Sequence, residues 1–205
     1  MRSVVHPSQT RQHILRSALR HFANSGYAAA SVQQIVGDAR VSKPSLYYYF
    51  PDKAGLFQAL VDEAHDDRYR LMQAAAARRR TLPDKLVQIL AALFDHLEQN
   101  RELMRISFAT AFAAPGEVPE GLRCSDKCER NFELIHAIFQ KARAEGEVDS
   151  RFTSRELADG FYGQLNACLA AQLLEPESAN GSSRRIARRI VDLFLAGAGA
   201  KSRRR

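Results

Sequence analysis

The stretch VSKPSLYYYF, residues 41–50, sets a lysine, two serine hydroxyls and three consecutive tyrosines around a proline. A tyrosine ring can lie on a thymine methyl or a sugar while its hydroxyl reaches a phosphate oxygen. On a helix at about 100° per residue, Leu46 and Phe50 share one face, Tyr48 projects nearly opposite it, and Tyr47 and Tyr49 lie on the flanks. Leu46 and Phe50 therefore face a core, and Tyr48 cannot join them. Three aromatics on one turn are rarely left outside without a binding role. With Lys43 and Lys53 bracketing the turn, the chemistry implied is contact with duplex DNA.

Other chemistry is sparse. Cys124 and Cys128 are i,i+4 and could share a helical face, with Cys168 elsewhere, so a thiol or electrophile switch is one reading and spectator cysteines the other. No further ligands stand at metal-binding spacing, so neither a metal nor a cofactor is expected. No nucleophile elbow, phosphate loop, zinc signature or paired-carboxylate motif is present, which argues against an enzyme.

Composition agrees with a polyanionic partner. The 205 residues carry a net charge of +7 and 45% hydrophobic side chains. Residues 1–53 hold seven basic side chains (Arg2, Arg11, Arg16, Arg20, Arg40, Lys43, Lys53) against Asp38 and Asp52. The end KSRRR adds a basic tail over 201–205. No run of about twenty apolar residues suggests a membrane span. MRSVVHPSQTRQ lacks the apolar stretch of a signal peptide, so the expected location is cytoplasmic.

Around these residues the periodicity is helical throughout, giving about nine helices and no strand. Thr10 or Arg11 to Asn24 places Ile14, Leu15, Ala18, Leu19 and Phe22 on one stripe, and Gly26 is a stop signal. Ser31 and Ser42 are N-caps for two short helices, Ser31–Ala39 and Ser42–Phe50, separated only by Arg40 and Val41. Pro44 suits a first turn. A long helix runs from Asp52 or Lys53 to about Arg80, another from Pro83 to Gln99. The segment Glu102–Ala113 is apolar on most sides and is expected to be buried. After a loop at 114–122, helices are expected over Ser125–Ala144, Ser154–Leu174 and Ser183 to about Gly197, with 175–183 a linker.

Two short helices joined this tightly form a helix-turn-helix, whose second helix enters the major groove while the first crosses the backbone. The residues Phe22, Gly26, Tyr27, Ser31, Ile35, Val41, Ser42, Pro44, Leu46, Tyr47, Tyr49, Phe50 and Lys53 stand at the spacings of one known pattern. In it a Phe-x3-Gly-Tyr/Phe ending precedes a Ser/Thr-x3-Ile helix and a Val-Ser-x-Gly/Pro-x-Leu-Tyr segment. The chain resembles the tetracycline-repressor-like (TetR/AcrR) family of transcriptional regulators over about a quarter of its length.

That resemblance implies an all-α fold with two domains: a three-helix DNA-binding domain at 1–53, and a larger helical regulatory and dimerisation domain at 54–200. It implies that Ser31, Ser42, Tyr47, Tyr49 and Lys53 chiefly hold phosphates. Gln33, Lys43, Pro44, Ser45 and Tyr48 would read bases or vary with operator, with Gln34 in reserve. Glutamine can pair with adenine and lysine can donate to guanine. Two departures stand out. Arg40 replaces the usual glycine of the turn, costing about 1 kcal/mol if left-handed unless its guanidinium reaches a phosphate. Gly37, mid-helix, costs about 1 kcal/mol against alanine.

The resemblance further implies a homodimer, its last two helices pairing with their copies, and a near-palindromic double-stranded operator. Gly160, Gly163, Ala167, Ala170 and Ala171 would permit close helix approach. Ile186, Ile190, Leu193, Phe194 and Gly197 fall on one face of the last helix, with Arg184, Arg185, Arg188 and Arg189 a solvated face around it. The small-molecule effector site is expected within the larger domain, lined by Met104, Phe108, Phe112, Phe132, His136, Phe139, Tyr162 and Asn166. The expected output is repression relieved by a small, largely apolar molecule. Cysteine oxidation or a protein partner in place of the ligand is the alternative.

Overall fold

The structure is a computed structural model that describes residues 7–77, 81–110, 113–114, 116–122, 125–174 and 182–198. Within them the chain forms nine helices: α1 Pro7–Ala29, α2 Val32–Ala39, α3 Lys43–Tyr49, α4 Lys53–Ala77, α5 Leu82–Gln99, α6 Arg101–Thr110, α7 Ser125–Ala144, α8 Ser154–Leu174 and α9 Ser183–Ala198. Phe112, Cys124, the expected end of the fourth helix at Arg80, most of the 175–183 linker and the KSRRR tail lie outside the described residues.

The chain divides into two compact units. The first comprises residues 1–65 and 101–124, so it takes in the start of α4 and all of α6 as well as the expected first domain. Its core draws Ile14, Leu15, Ala18 and Phe22 from α1, Ile35 and Val36 from α2, and Leu46 and Phe50 from the α3 segment. Leu56, Phe57, Leu60, Val61 and Ala64 come from α4, and Leu103 and Ile106 from α6. Truncating Ile35 or Leu46 to alanine, both fully enclosed, costs about 2–5 kcal/mol by leaving a cavity that the surroundings fill only in part. Phe22, Tyr27 and Phe57 form an aromatic trio with ring centroids 5.1 to 5.9 Å apart.

Local chemistry explains where these helices begin and end. Ser31 Oγ accepts from the Gln33 amide, and Ser42 Oγ from the Ser45 amide, each at 3.2 Å and each from an extended cap residue. Asp52 Oδ1 accepts from the Gly55 amide at 2.7 Å to start α4. A Cβ at Gly55 would come within 2.9 Å of the Pro51 ring, so the tight entry needs glycine there.

Three sequence expectations for this unit change. Helix α1 starts at Pro7 and continues past Asn24: Gly26 breaks the helical geometry (φ 73°, ψ 170°), but the chain resumes one more turn to Ala29. Phe50 is not a helical partner of Leu46; it is extended (φ −136°, ψ 123°) and reaches the core because the chain turns there, its amide donating to the Leu46 carbonyl at 2.9 Å. Helix α6 is amphipathic rather than buried on most sides. Leu103, Met104 and Ile106 are enclosed, while Glu102, Arg105 and Ala109 line an exposed face.

The second unit comprises residues 66–100 and 125–205. In it α5 packs against α9 and α8, and α7 against α8. Helix α5 supplies Leu86, Ile89, Leu90, Leu93, Phe94 and Leu97 to the core; Thr81 caps its start by accepting from the Asp84 amide. Phe139, Phe161 and Phe194 meet edge-on at 5.5 to 5.9 Å. The inward line of α9 is Ala187 and Val191 with Phe194; along the face expected to meet a second copy, Ile186 and Ile190 are half-buried and Leu193 is 71% exposed. Of the four arginines expected on the solvated face, Arg184, Arg185 and Arg189 are exposed, and half-buried Arg188 donates through Nη2 to Asp84 Oδ1 at 2.9 Å.

Candidate nucleic-acid interface

With Leu46 and Phe50 spent on the core, α3 has one face left over. Tyr48 is 81% exposed and Tyr47 46%, and Lys43, Pro44 and Ser42 are exposed beside them. Tyr49 is half-buried against the core and props Tyr48 edge-on at 5.0 Å. On α2 the exposed side chains include Gln33 and Gln34, while Ser31 is half-buried. Because Ser31 and Ser42 accept amide hydrogens through Oγ, each hydroxyl keeps its own proton to donate, the polarity a phosphate oxygen requires. Lys53 is anchored: its Nζ donates to the Ala28 carbonyl at 3.0 Å and sits 4.7 Å from the Tyr27 ring centroid. Burial pulls its pKa down.

The turn itself is held by Arg40 in the left-handed region (φ 55°, ψ 41°), where its amide donates back to the carbonyls of Gly37 and Val36. Behind it lies an open cleft of about 240 Å³ lined by His13, Arg16, Arg20, Asp38, Ala39 and Arg40. Asp38 organises this cleft. Its Oδ2 accepts from Arg20 at 2.6 Å and from Ser17 Oγ at 3.0 Å, and Ser17 Oγ also reaches the Ile35 carbonyl at 2.9 Å. The hydrogen bonds from Arg20 and then Ser17 hold the Asp38 carboxyl below the usual range. Sequence reasoning assigned no role to His13, Arg16 or Arg20, although their i, i+3, i+7 spacing on an exposed α1 face was a signal for a shared basic edge.

The expected effector residues fall into separate places. Met104, enclosed, and Phe108, half-buried, belong to the first unit; Phe132, His136, Phe139, Tyr162 and Asn166 belong to the second. Phe139 is sealed by its aromatic neighbours. Phe132 stands edge-on to Tyr162 at 5.7 Å and stacks near His136, whose ring nitrogens lie 3.1 Å from Glu133 Oε2 and 3.2 Å from Ser154 Oγ. Asn166 accepts from Arg68, a residue that sequence reasoning missed. Cys128 and Cys168 are half-buried thiols, and burial pushes Cys168 up, away from the reactive thiolate. No group of three His, Cys, Asp or Glu side chains arranged for a metal occurs among the described residues, and no described helix is long and apolar enough to cross a membrane.

A capped two-helix turn with an exposed tyrosine edge, in an otherwise helical chain, defines a helix-turn-helix transcriptional regulator. Residues 14–60 match the family described as bacterial regulatory proteins, tetR family. The HTH-type transcriptional regulator AcrR of Shigella flexneri is 30% identical over 178 residues, covering 83% of this chain and 81% of the relative. The transcriptional regulator AcuR of Cereibacter sphaeroides is 27% identical over 190 residues, covering 90% and 86%. The crystal structure of the regulator FadR from Bacillus subtilis, solved with stearoyl-CoA, superposes with a TM-score of 0.77 at 16% identity over 91% of this chain and 98% of that one. The chain belongs to the tetR family of transcriptional regulators.

Proposed function

We propose that the protein is a repressor that binds a near-palindromic operator as a homodimer and leaves it when a small molecule enters the second unit. The carrying observation is the division of labour on α3, with Leu46 fully buried and Tyr48 81% exposed on one short capped helix. Tyr48, Lys43, Pro44, Ser45 and Gln33 are the groups offered to base edges; Ser31, Ser42, Tyr47, Tyr49, Lys53 and Arg40 are those offered to phosphates. Dimerisation is supported by an exposed stripe on α8, Gly160, Gly163, Ala167, Ala171 and Leu174, spaced for one helical face, and by exposed Leu193 on α9. Two copies place two recognition helices about 34 Å apart, one turn of duplex.

Release by a ligand is a two-state equilibrium in which the ligand prefers the dimer with the wrong spacing. The fold shared with FadR accommodates stearoyl-CoA in that protein, which supports a ligand site in the helical bundle here. A coupling of about 1–3 kcal/mol weakens operator binding roughly 5- to 150-fold. The test is selection of duplexes from a random pool, followed by anisotropy titrations of the winner at several salt concentrations, with and without a metabolite panel. A palindromic consensus bound by a dimer and weakened by some compound is expected. Equal affinity for scrambled duplexes would overturn the DNA reading, and indifference to every compound would overturn the ligand reading.

A further inference from the structure

One cation of the second unit is buried with no carboxylate seen against it among the described residues. Arg68, on α4, is 8% exposed. Its Nη2 donates to Asn166 Oδ1 at 2.6 Å, its guanidinium lies 4.9 Å from the Tyr162 ring centroid, and its enclosed Nε meets no acceptor among the described residues. The carboxylates of the unit that are seen paired are engaged by other cations. Asp66 takes Lys127 and Arg130, Asp67 takes Arg70, Glu133 takes Arg155, and Asp84 takes Arg188. Burial pulls Arg68 down, and only the Tyr162 hydroxyl and the Cys128 thiol oppose that. Both side-chain types are ordinarily neutral near pH 7. Burial also pushes Tyr162 up, which keeps its hydroxyl protonated.

A guanidinium does not give up its proton, so this site carries a full positive charge whose desolvation no described anion offsets. Keeping such a group makes sense where the missing anion arrives from outside. We propose that Arg68, held by Asn166 and Tyr162, is the anion-binding end of the effector site, and that the effector is an organic carboxylate with an apolar body. The inference rests on the ligand-responsive reading above and gives that ligand a chemical class. A carboxylate presents two oxygens to the guanidinium fork, and its single charge matches a single buried cation; a phosphate dianion would leave an uncompensated negative charge. The Phe132 ring, edge-on to Tyr162, supplies an aromatic wall for the apolar body.

The experiment uses the full-length chain, titrated calorimetrically with straight-chain acids from butyrate to decanoate, with benzoate and with phenylacetate, each beside its primary amide. At least one acid should bind, with its amide at least about tenfold weaker, since the charge-assisted bonds are lost. Arg68→Met should abolish the acid-over-amide preference. It should also melt, without ligand, at or above the wild-type temperature, because an uncompensated buried charge is gone. An arginine kept only for packing predicts the opposite, a lower melting temperature with ligand preference intact. Arg68→Lys, which keeps the charge without the fork, should bind acids more weakly than wild type and more tightly than Arg68→Met, and it serves as a second variant should the first not fold. Amides binding as well as acids would overturn the anion site and leave a ligand-responsive regulator standing. Acids that bind without loosening a selected duplex would leave the site standing and overturn its regulatory role. Binding of no compound would overturn the site.

Discussion

Lys53, at the first position of α4, reaches back to the end of α1, its ammonium donating to the Ala28 carbonyl and lying over the Tyr27 ring. This one side chain ties the chain segment before α2 to the helix after α3, across the helix-turn-helix. Replacing it by methionine keeps the apolar stem and removes both contacts. Lys53→Met should destabilise the protein by about 1 kcal/mol in denaturant melts. An ammonium has three hydrogens, and the one left over is offered to a phosphate, so the same variant should lower the salt slope of duplex binding by about 1. Unchanged stability would mean that the tie does not matter to the fold.

Tyr48 stands at the other extreme. Its ring is exposed and packs edge-on against Tyr49, so Tyr48→Ala should move stability by less than about 0.5 kcal/mol. Duplex affinity should nonetheless fall about tenfold or more if the ring packs on base or sugar. Tyr49→Ala should do the reverse in part, costing stability because Tyr49 packs on the core. Melting curves and anisotropy on the same two variants separate the roles.

Arg40 occupies left-handed backbone where glycine has no penalty. Arg40→Gly should therefore stabilise the protein by about 1 kcal/mol. If its guanidinium meets a phosphate from the cleft shared with Arg16 and Arg20, the substitution should weaken duplex binding and reduce the salt slope by about 1. Gly37, helical and with open space where a Cβ would stand, is the control: Gly37→Ala should stabilise by about 1 kcal/mol through helix propensity alone. Arg40→Gly variants that neither gain stability nor lose affinity would remove any functional reason for the strained residue.

The helix-turn-helix was legible because its constraints are local. Ser31 and Ser42 cap within three residues, and Leu46 against Tyr48 is settled by helical phase alone. The limits of α7 and α8 were legible for the same reason, since the turn between them carries Gly146 at positive φ and Ser154 opens the next helix. Arg68 was not legible. It sits in AHDDRYR, a charge run indistinguishable from a solvated face, and its buried contacts come from Tyr162 and Asn166, nearly a hundred residues away. The basic cleft was legible in part: His13, Arg16 and Arg20 recur along one exposed face of α1, but their spacing does not show that Asp38, Ala39 and Arg40 line the same cleft. Long-range burial of charge leaves no periodic trace.

His96 on α5 gives a pH dependence whose sign follows from its partners. The Asn100 amide lies 3.2 Å from Nδ1, which assigns the proton to Nε2, and that atom is enclosed with no hydrogen-bond partner among the described residues. Burial lowers its pKa, and the nearby Asp67 carboxylate offsets only part of that. The folded protein therefore binds fewer protons at this site than the unfolded chain does. Its stabilising contribution is complete above the ordinary histidine value of about 6.5 and is lost as the pH falls below it toward the folded value. Lowering the pH from about 7.5 to about 5.5 should reduce the melting temperature of the wild type more than that of His96→Gln, which cannot gain the proton. Equal losses in the two proteins would show that His96 is not the group being charged.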